Sequence, residues 1–247
     1  MWCDMANSLY NKGYEEIREN LICRLISESE REYLSRVPHK KAFGDLYLVP
    51  CLYQMKDDQT ACGFSVTREI MSDWNIDTEQ LIADAFENMQ KVMPCKLDRM
   101  GSLMESDRGG SVKETLRKLL LEKFPDKQPD VLDRLAVALT KQFDRKVQDH
   151  SFLRPMWVLG NTCWLFGAVS VLYPGVLEQF AQQMDSGIYI LPSSIHEVIL
   201  LPEGGNESRD FLYGMVASAN SRMTDCSKKL SDRVYYYDRH KKEIQTF

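Results

Sequence analysis

Residues Ile188–Pro202, IYILPSSIHEVILLP, constrain the fold more than any other stretch of the chain. Two apolar runs, Ile188–Leu191 and Val198–Leu201, flank a short polar centre, Pro192-Ser193-Ser194-Ile195-His196-Glu197. Runs of this kind around a polar break predict a buried β-hairpin, with Pro-Ser-Ser as its turn. The same stretch places a histidine, a carboxylate and two hydroxyls within five residues.

The segments on either side give the fold class. Asn7–Ser35 reads as a helix, with Leu9, Ile17, Leu21 and Leu25 and the pair Ile22/Ile26 at helical spacing; Val37-Pro38 stops it. His39, beside Lys40 and Lys41, reads as a solvated loop residue. Phe43–Gln54 reads as a strand whose Pro50 suggests an edge position or a bulge, and Ala61–Thr67 as the returning strand. Thr78–Met93 is a capped helix that presents Leu81, Ile82, Ala85, Phe86 and Met89 on one face. Cys95–Gly110 has no clear period and ends in a Ser106–Gly110 loop. Helices are expected at Ser111–Phe124, behind a capping box, and at Val131–Val147. Phe152–Leu159 and Thr162–Leu172 read as two strands about a Gly160-Asn161 turn, followed by a helix over Pro174–Met184. Beyond the Ile188–Pro202 hairpin come a helix from Ser208 or Asp210 to about Met223, a last strand over Leu230–Asp238 and a polar tail.

Strands joined by tight turns pair antiparallel, so the expected class is α+β, with mainly antiparallel sheets from hairpins packed on helices. A hairpin–helix unit occurs twice, at Phe43–Met93 and Phe152–Met184. The expected organisation is an N-terminal part (1–105), a helical linker pair (106–150) and a C-terminal part (151–247), or all three as one domain.

Composition narrows the function. A net charge of −5 over 247 residues argues against broad nucleic-acid binding, which needs a basic surface. No run of eighteen apolar residues and no secretory leader is seen, so the expectation is a cytoplasmic protein off the membrane. Seven scattered cysteines without a C-x-x-C pair read as reduced thiols. They and the four histidines offer no metal-ligand spacing, and no cofactor loop is present, so neither metal nor cofactor is expected.

Catalysis, if present, would sit at Ser193, Ser194, His196 and Glu197, with Tyr189 as a ligand-binding candidate. A nucleophilic hydroxyl needs a base within reach, and the base needs an orienting carboxylate. In an extended strand Ser194 and His196 share a face while Glu197 points away, so His196 meets Ser194 but lacks its carboxylate. His196-Glu197 begins an H-E-x-x-H pattern, but position 200 is leucine. Gly109-Gly110 and Gly204-Gly205 lack phosphate-loop spacing, and Asp57-Asp58 and Asp225/Asp232 lack calcium-loop spacing. Tyr235-Tyr236-Tyr237 beside Arg233, Arg239, Lys241 and Lys242 is a candidate nucleic-acid platform, though a strand with tyrosines on both faces and a charged tail is the more common reading of such a pattern. Trp157 and Trp164 read as cross-strand packing. The preferred reading is a non-enzymatic binding module with an unidentified protein partner.

The wording of several segments resembles a bacterial family of unknown function found in gut clostridia. Its strand of the form Y-x-V-L-(S/T)-N, its G-A-x-x-(I/V)-L-Y segment and its Y-I-L-P-S-S-I-H-E-V hairpin correspond to Met156–Asn161, Gly167–Tyr173 and Tyr189–Ile199. Val37–His39, Trp74–Leu81 and Ala85–Asn88 match its first half, and Trp157 departs from its pattern. The strand before Trp74–Leu81 is more distantly similar to proteins of the YtpQ type. The resemblance implies no activity; it implies that members carry further sequence upstream of the first helix.

Overall fold

The run Leu21–Ser27, LICRLIS, forms a strand, β1, where the sequence predicts the middle of a helix. This is seen in a computed structural model that describes residues 12–57, 60–100, 130–135, 137, 156–204, 207–223, 225 and 228–247. Helix survives on either side, as α1 (Tyr14–Ile17), a 3-10 turn (Arg18–Asn20) and α2 (Arg31–Arg36). The correction has a physical cause. Every residue of β1 except Arg24 is buried, so the run is covered on both faces and its apolar residues are continuous rather than periodic. A continuous run mimics helical spacing, and tertiary pairing decides between the two.

That pairing is with β3 (Leu46–Asp57), antiparallel from Leu21↔Leu52 to Ser27↔Leu46. The far flank of β3 carries β2 (Lys40–Phe43) and then β4 (Thr60–Ser65). Pro50 is therefore not on an edge strand, nor at a bulge against β1, where it stays in register with Cys23. It lies where the far flank changes strands, between Leu48 (on Lys40) and Cys51 (on Ser65). His39, just before β2, is half-buried rather than solvated; its ring stands edge-on to Tyr47.

Alternation divides the side chains of this sheet between two faces. Leu21, Cys23 and Leu25 meet α4 (Thr78–Val92), which Asp77 caps through the Gln80 N–H and which buries Leu81, Ile82, Ala85 and Met89. Asn88 of α4 donates to the carbonyls of Glu19 and Leu21, and the Cys23 N–H reaches Met89 Sδ at 3.4 Å. On the other face Ile26 and Val49 pack with Leu34 of α2, with Val37, and with Tyr33 and Tyr47. A short helix, α3 (Arg68–Asp73), links β4 to α4.

A second sheet has the order β10-β9-β7-β8-β6-β5, formed by Glu243–Thr246, Tyr235–Asp238, Ile188–Ser194, Glu197–Pro202, Trp157–Asn161 and Cys95–Arg99. The predicted hairpin is present as β7 and β8, from Ile188↔Pro202 to Ser194↔Glu197. Its turn is Ile195-His196, not Pro-Ser-Ser; those three residues belong to β7, with an irregular register between Pro192 and Ser194. Four further expectations are corrected. Cys95–Arg99 is a strand. Gly160-Asn161 ends β6 instead of turning. The polar tail pairs back as β10, and the last strand begins at Tyr235 rather than Leu230.

The predicted strand Thr162–Leu172 is a buried 3-10 turn at Gly167–Leu172, touching β1 and β8 and leading to α5 (Val176–Met184). The second hairpin–helix unit is accordingly β7–β8 with α6 (Arg209–Ser221, capped by Ser208), not Phe152–Met184.

Met1–Leu97 and Val158–Phe247 form one compact unit, and Asp98–Trp157 another. In the second, residues 130–135 are helical with Leu132 buried. The predicted Ser106–Gly110 loop, the Ser111–Phe124 helix and most of Val131–Val147 lie outside the described residues. Inside the first unit, the buried Asp45 carboxylate, just before β3, accepts hydrogen bonds from the hydroxyls of Ser27, Ser231 and Tyr235. Gly44 adopts a φ of 51° there, and a Cβ at that position would stand 2.5 Å from the Tyr235 ring.

Candidate functional site

Asn161 organises the segment that reaches the predicted site. It is fully buried at the end of β6. Its Oδ1 accepts from the N–H groups of Cys163 and Leu165, and its Nδ2 donates to the Leu165 carbonyl at 2.7 Å. The chain is thereby folded tightly over 162–165 and delivers Phe166 in a left-handed conformation, φ 52°. Gly167 follows, where a Cβ would meet the His196 carbonyl and stand 2.7 Å from the Asn161 nitrogen. Close backbone approach is what glycine permits there.

Phe166 faces the β7–β8 turn. Its N–H donates to His196 Nδ1 at 3.1 Å, and the two rings stack with centroids 5.9 Å apart and an interplanar angle of 5°. The accepting Nδ1 carries no proton, so the neutral ring holds its proton on Nε2. Burial lowers the His196 pKa, with Lys228 adding to the effect and Asp225 opposing it. Ser194 Oγ accepts from the backbone N–H of His196 at 3.0 Å. Ser193 Oγ donates to Glu197 Oε1 at 3.2 Å, and burial raises the Glu197 pKa while this bond opposes the rise. The four predicted residues are thus close in space, but the Ser194 hydroxyl and the His196 ring each bond to backbone rather than to one another. Tyr189 lies apart from them, buried against Tyr236 and Phe247.

The Phe166 ring also meets Arg24, a residue inside the stretch where a helix is expected. Arg24 stands in the middle of β1 beside Val49, on the face that also carries Cys51 and Ser65. Its guanidinium lies 5.3 Å from the Phe166 ring and 4.9 Å from the Tyr33 ring. Nη2 donates to the Tyr33 hydroxyl and, at 3.4 Å, to Ser65 Oγ; those two hydroxyls are 2.7 Å apart. Among the described residues no carboxylate pairs with Arg24, and its buried Nε–H finds no acceptor. Such a donor costs about 1–3 kcal/mol, while each ring contact returns about 0.5–2 kcal/mol. Gly63 of β4 makes room for this arrangement, since a Cβ there would overlap the Phe166 ring. The legible signal was an arginine inside the otherwise apolar run Leu21–Ile26.

The remaining candidates are engaged elsewhere. Tyr235 and Tyr237 are buried, and the hydroxyl of Tyr236 bonds to Glu203 at 2.7 Å. The Gly204 N–H is taken by the Glu207 carboxylate. Asp225 and Asp232 pair with Lys228 and Lys229. Asp58, Gly109, Gly110 and Gly205 lie outside the described residues. Among the described residues no group of three or more His, Cys, Asp or Glu side chains is placed to hold a metal ion.

A family model described as "Family of unknown function (DUF5688)" matches residues 4–239. The chain belongs to that family. No curated protein and no solved structure matches it.

Proposed function

We propose that this member of the DUF5688 family is a non-enzymatic binding module with a protein partner. The carrying observation is the bonding of Ser194 and His196: the hydroxyl accepts from the His196 N–H, and Nδ1 accepts from the Phe166 N–H. A hydroxyl becomes nucleophilic when a base takes its proton, and the only described ring nitrogen bond here runs to backbone. Glu197 bonds to Ser193, not to the imidazole. The tyrosines of 235–237 serve packing and internal hydrogen bonds, which favours a protein partner over nucleic acid.

A bacterial, cytoplasmic setting is part of the same proposal. Cys23, Cys51, Cys95 and Cys163 are free thiols, as suits a reducing compartment. No helix of the described residues is long and apolar enough to cross a membrane.

The test is labelling with a fluorophosphonate and turnover of a panel of activated esters, comparing the native chain with Ser193→Ala and Ser194→Ala. The expected result is no covalent adduct and no turnover above buffer. An adduct mapped to Ser193 or Ser194, or ester cleavage lost in either variant, would overturn the reading.

A further inference from the structure

Resting on the reading of the chain as a binding module, we propose that Arg24, Tyr33 and Ser65 form a receptor for the carboxylate of a small organic acid. Three observations carry it. First, the guanidinium is a fixed cation without an ion-paired carboxylate among the described residues, and its Nε–H is unmatched. A carboxylate accepts from the Nε–H and Nη2–H fork in a bidentate pair, which neutral hydroxyls cannot reproduce. Second, Tyr33 and Ser65 hold two hydroxyls against that fork, 2.7 Å from one another, and each can turn its proton toward an oxyanion. Third, all three residues keep partial exposure although Arg24 Nε itself is covered, and the Phe166 and Tyr33 rings flank the guanidinium.

The same surroundings select the ligand class. One cation matches a monoanion; a phosphate dianion brings a second charge that Arg24 alone does not meet. Cys51 on the same face does not compete, because burial pushes its thiol up to about 11 and keeps it neutral. The aromatic walls favour an acid with a flat or apolar body over acetate.

Calorimetric titration of the full chain tests the site, with benzoate, acetate, inorganic phosphate and neutral benzamide as probes. Benzoate is expected to bind, and more tightly than the other three. Arg24→Met is expected to weaken benzoate by roughly tenfold or more, the loss of a charge-assisted bond, with smaller losses in Tyr33→Phe and Ser65→Ala. Absence of benzoate binding, equal binding of benzamide or phosphate, or unchanged affinity in Arg24→Met would overturn the proposal. If Arg24→Met does not fold, unchanged affinity in both hydroxyl variants overturns it. One-dimensional NMR of an ester or amide of the bound acid, added to the same samples, separates the two readings. Hydrolysis would remove the binding-module reading and leave the site; no binding and no hydrolysis would remove the site and leave the module.

Discussion

The Phe166 N–H donates to Nδ1 of His196 at 3.1 Å, and the two rings stack almost parallel. Phe166 thereby links the first sheet to the β7–β8 turn, because its ring also lies against the Arg24 guanidinium. It also fixes the ionisation state that the turn requires. A protonated Nδ1 cannot accept the bond.

Acid sensitivity follows from that requirement. His196 has a folded pKa lowered from 6.5, chiefly by burial. The unfolded chain therefore binds the proton first, and the stabilising contribution, complete above 6.5, is lost as pH falls toward the lowered value. His196→Gln, which keeps an acceptor but does not titrate, is expected to flatten the dependence of the urea midpoint on pH between about 7 and about 5. Identical slopes in the two proteins would contradict this.

Glu197 acts in the opposite sense. Its folded pKa is raised from 4.5 by burial, so its contribution is complete below 4.5 and is lost as pH rises through the raised value. Glu197→Gln should raise the Tm at neutral pH, by roughly 1–4 °C, and the gain should vanish near pH 4. Thermal melts across that range give the answer directly.

The buried Asp45 carboxylate has Ser27, Ser231 and Tyr235 as donors. Tyr235→Phe removes one charge-assisted bond and is expected to cost about 1.5–3 kcal/mol. Asp45→Ala leaves buried hydroxyls without an acceptor and should cost more. Chemical denaturation that ranks the two in the reverse order would show that the Tyr235 hydroxyl matters more through its bond to Ser231 than through the carboxylate.

Gly63 lies beneath the Phe166 ring. Gly63→Ala should force the ring to move and destabilise the fold by about 1–3 kcal/mol. The shift would be visible in the amide resonance of Phe166, whose bond to His196 must lengthen; an unchanged resonance would mean that β4 yields instead.

Arg24→Met offers a contrast between stability and binding. Methionine fills a similar volume without a charge or an unmatched donor, so the variant should be as stable as the native chain or more so. A loss above about 3 kcal/mol in denaturation would mark Arg24 as a structural residue.

The sequence by itself determined the local features. The Ile188–Pro202 hairpin, the Asp77-capped helix and the Ser208-capped helix are written in adjacent residues, because caps and turns act over three or four positions. The α+β class and antiparallel pairing follow from such features. Tertiary structure alone decided LICRLIS. Its apolar residues fit helix and buried strand equally, and β3 on one flank with α4 and α2 on its faces made it a strand. With that choice Arg24 stands in the middle of β1, beside Tyr33, Ser65 and Phe166. The site predicted from Ser194 and His196 changed for the same reason. Residues near in sequence were claimed by backbone groups about thirty positions away or in the turn itself, and hydrogen-bond demand at long range has no local sequence signature.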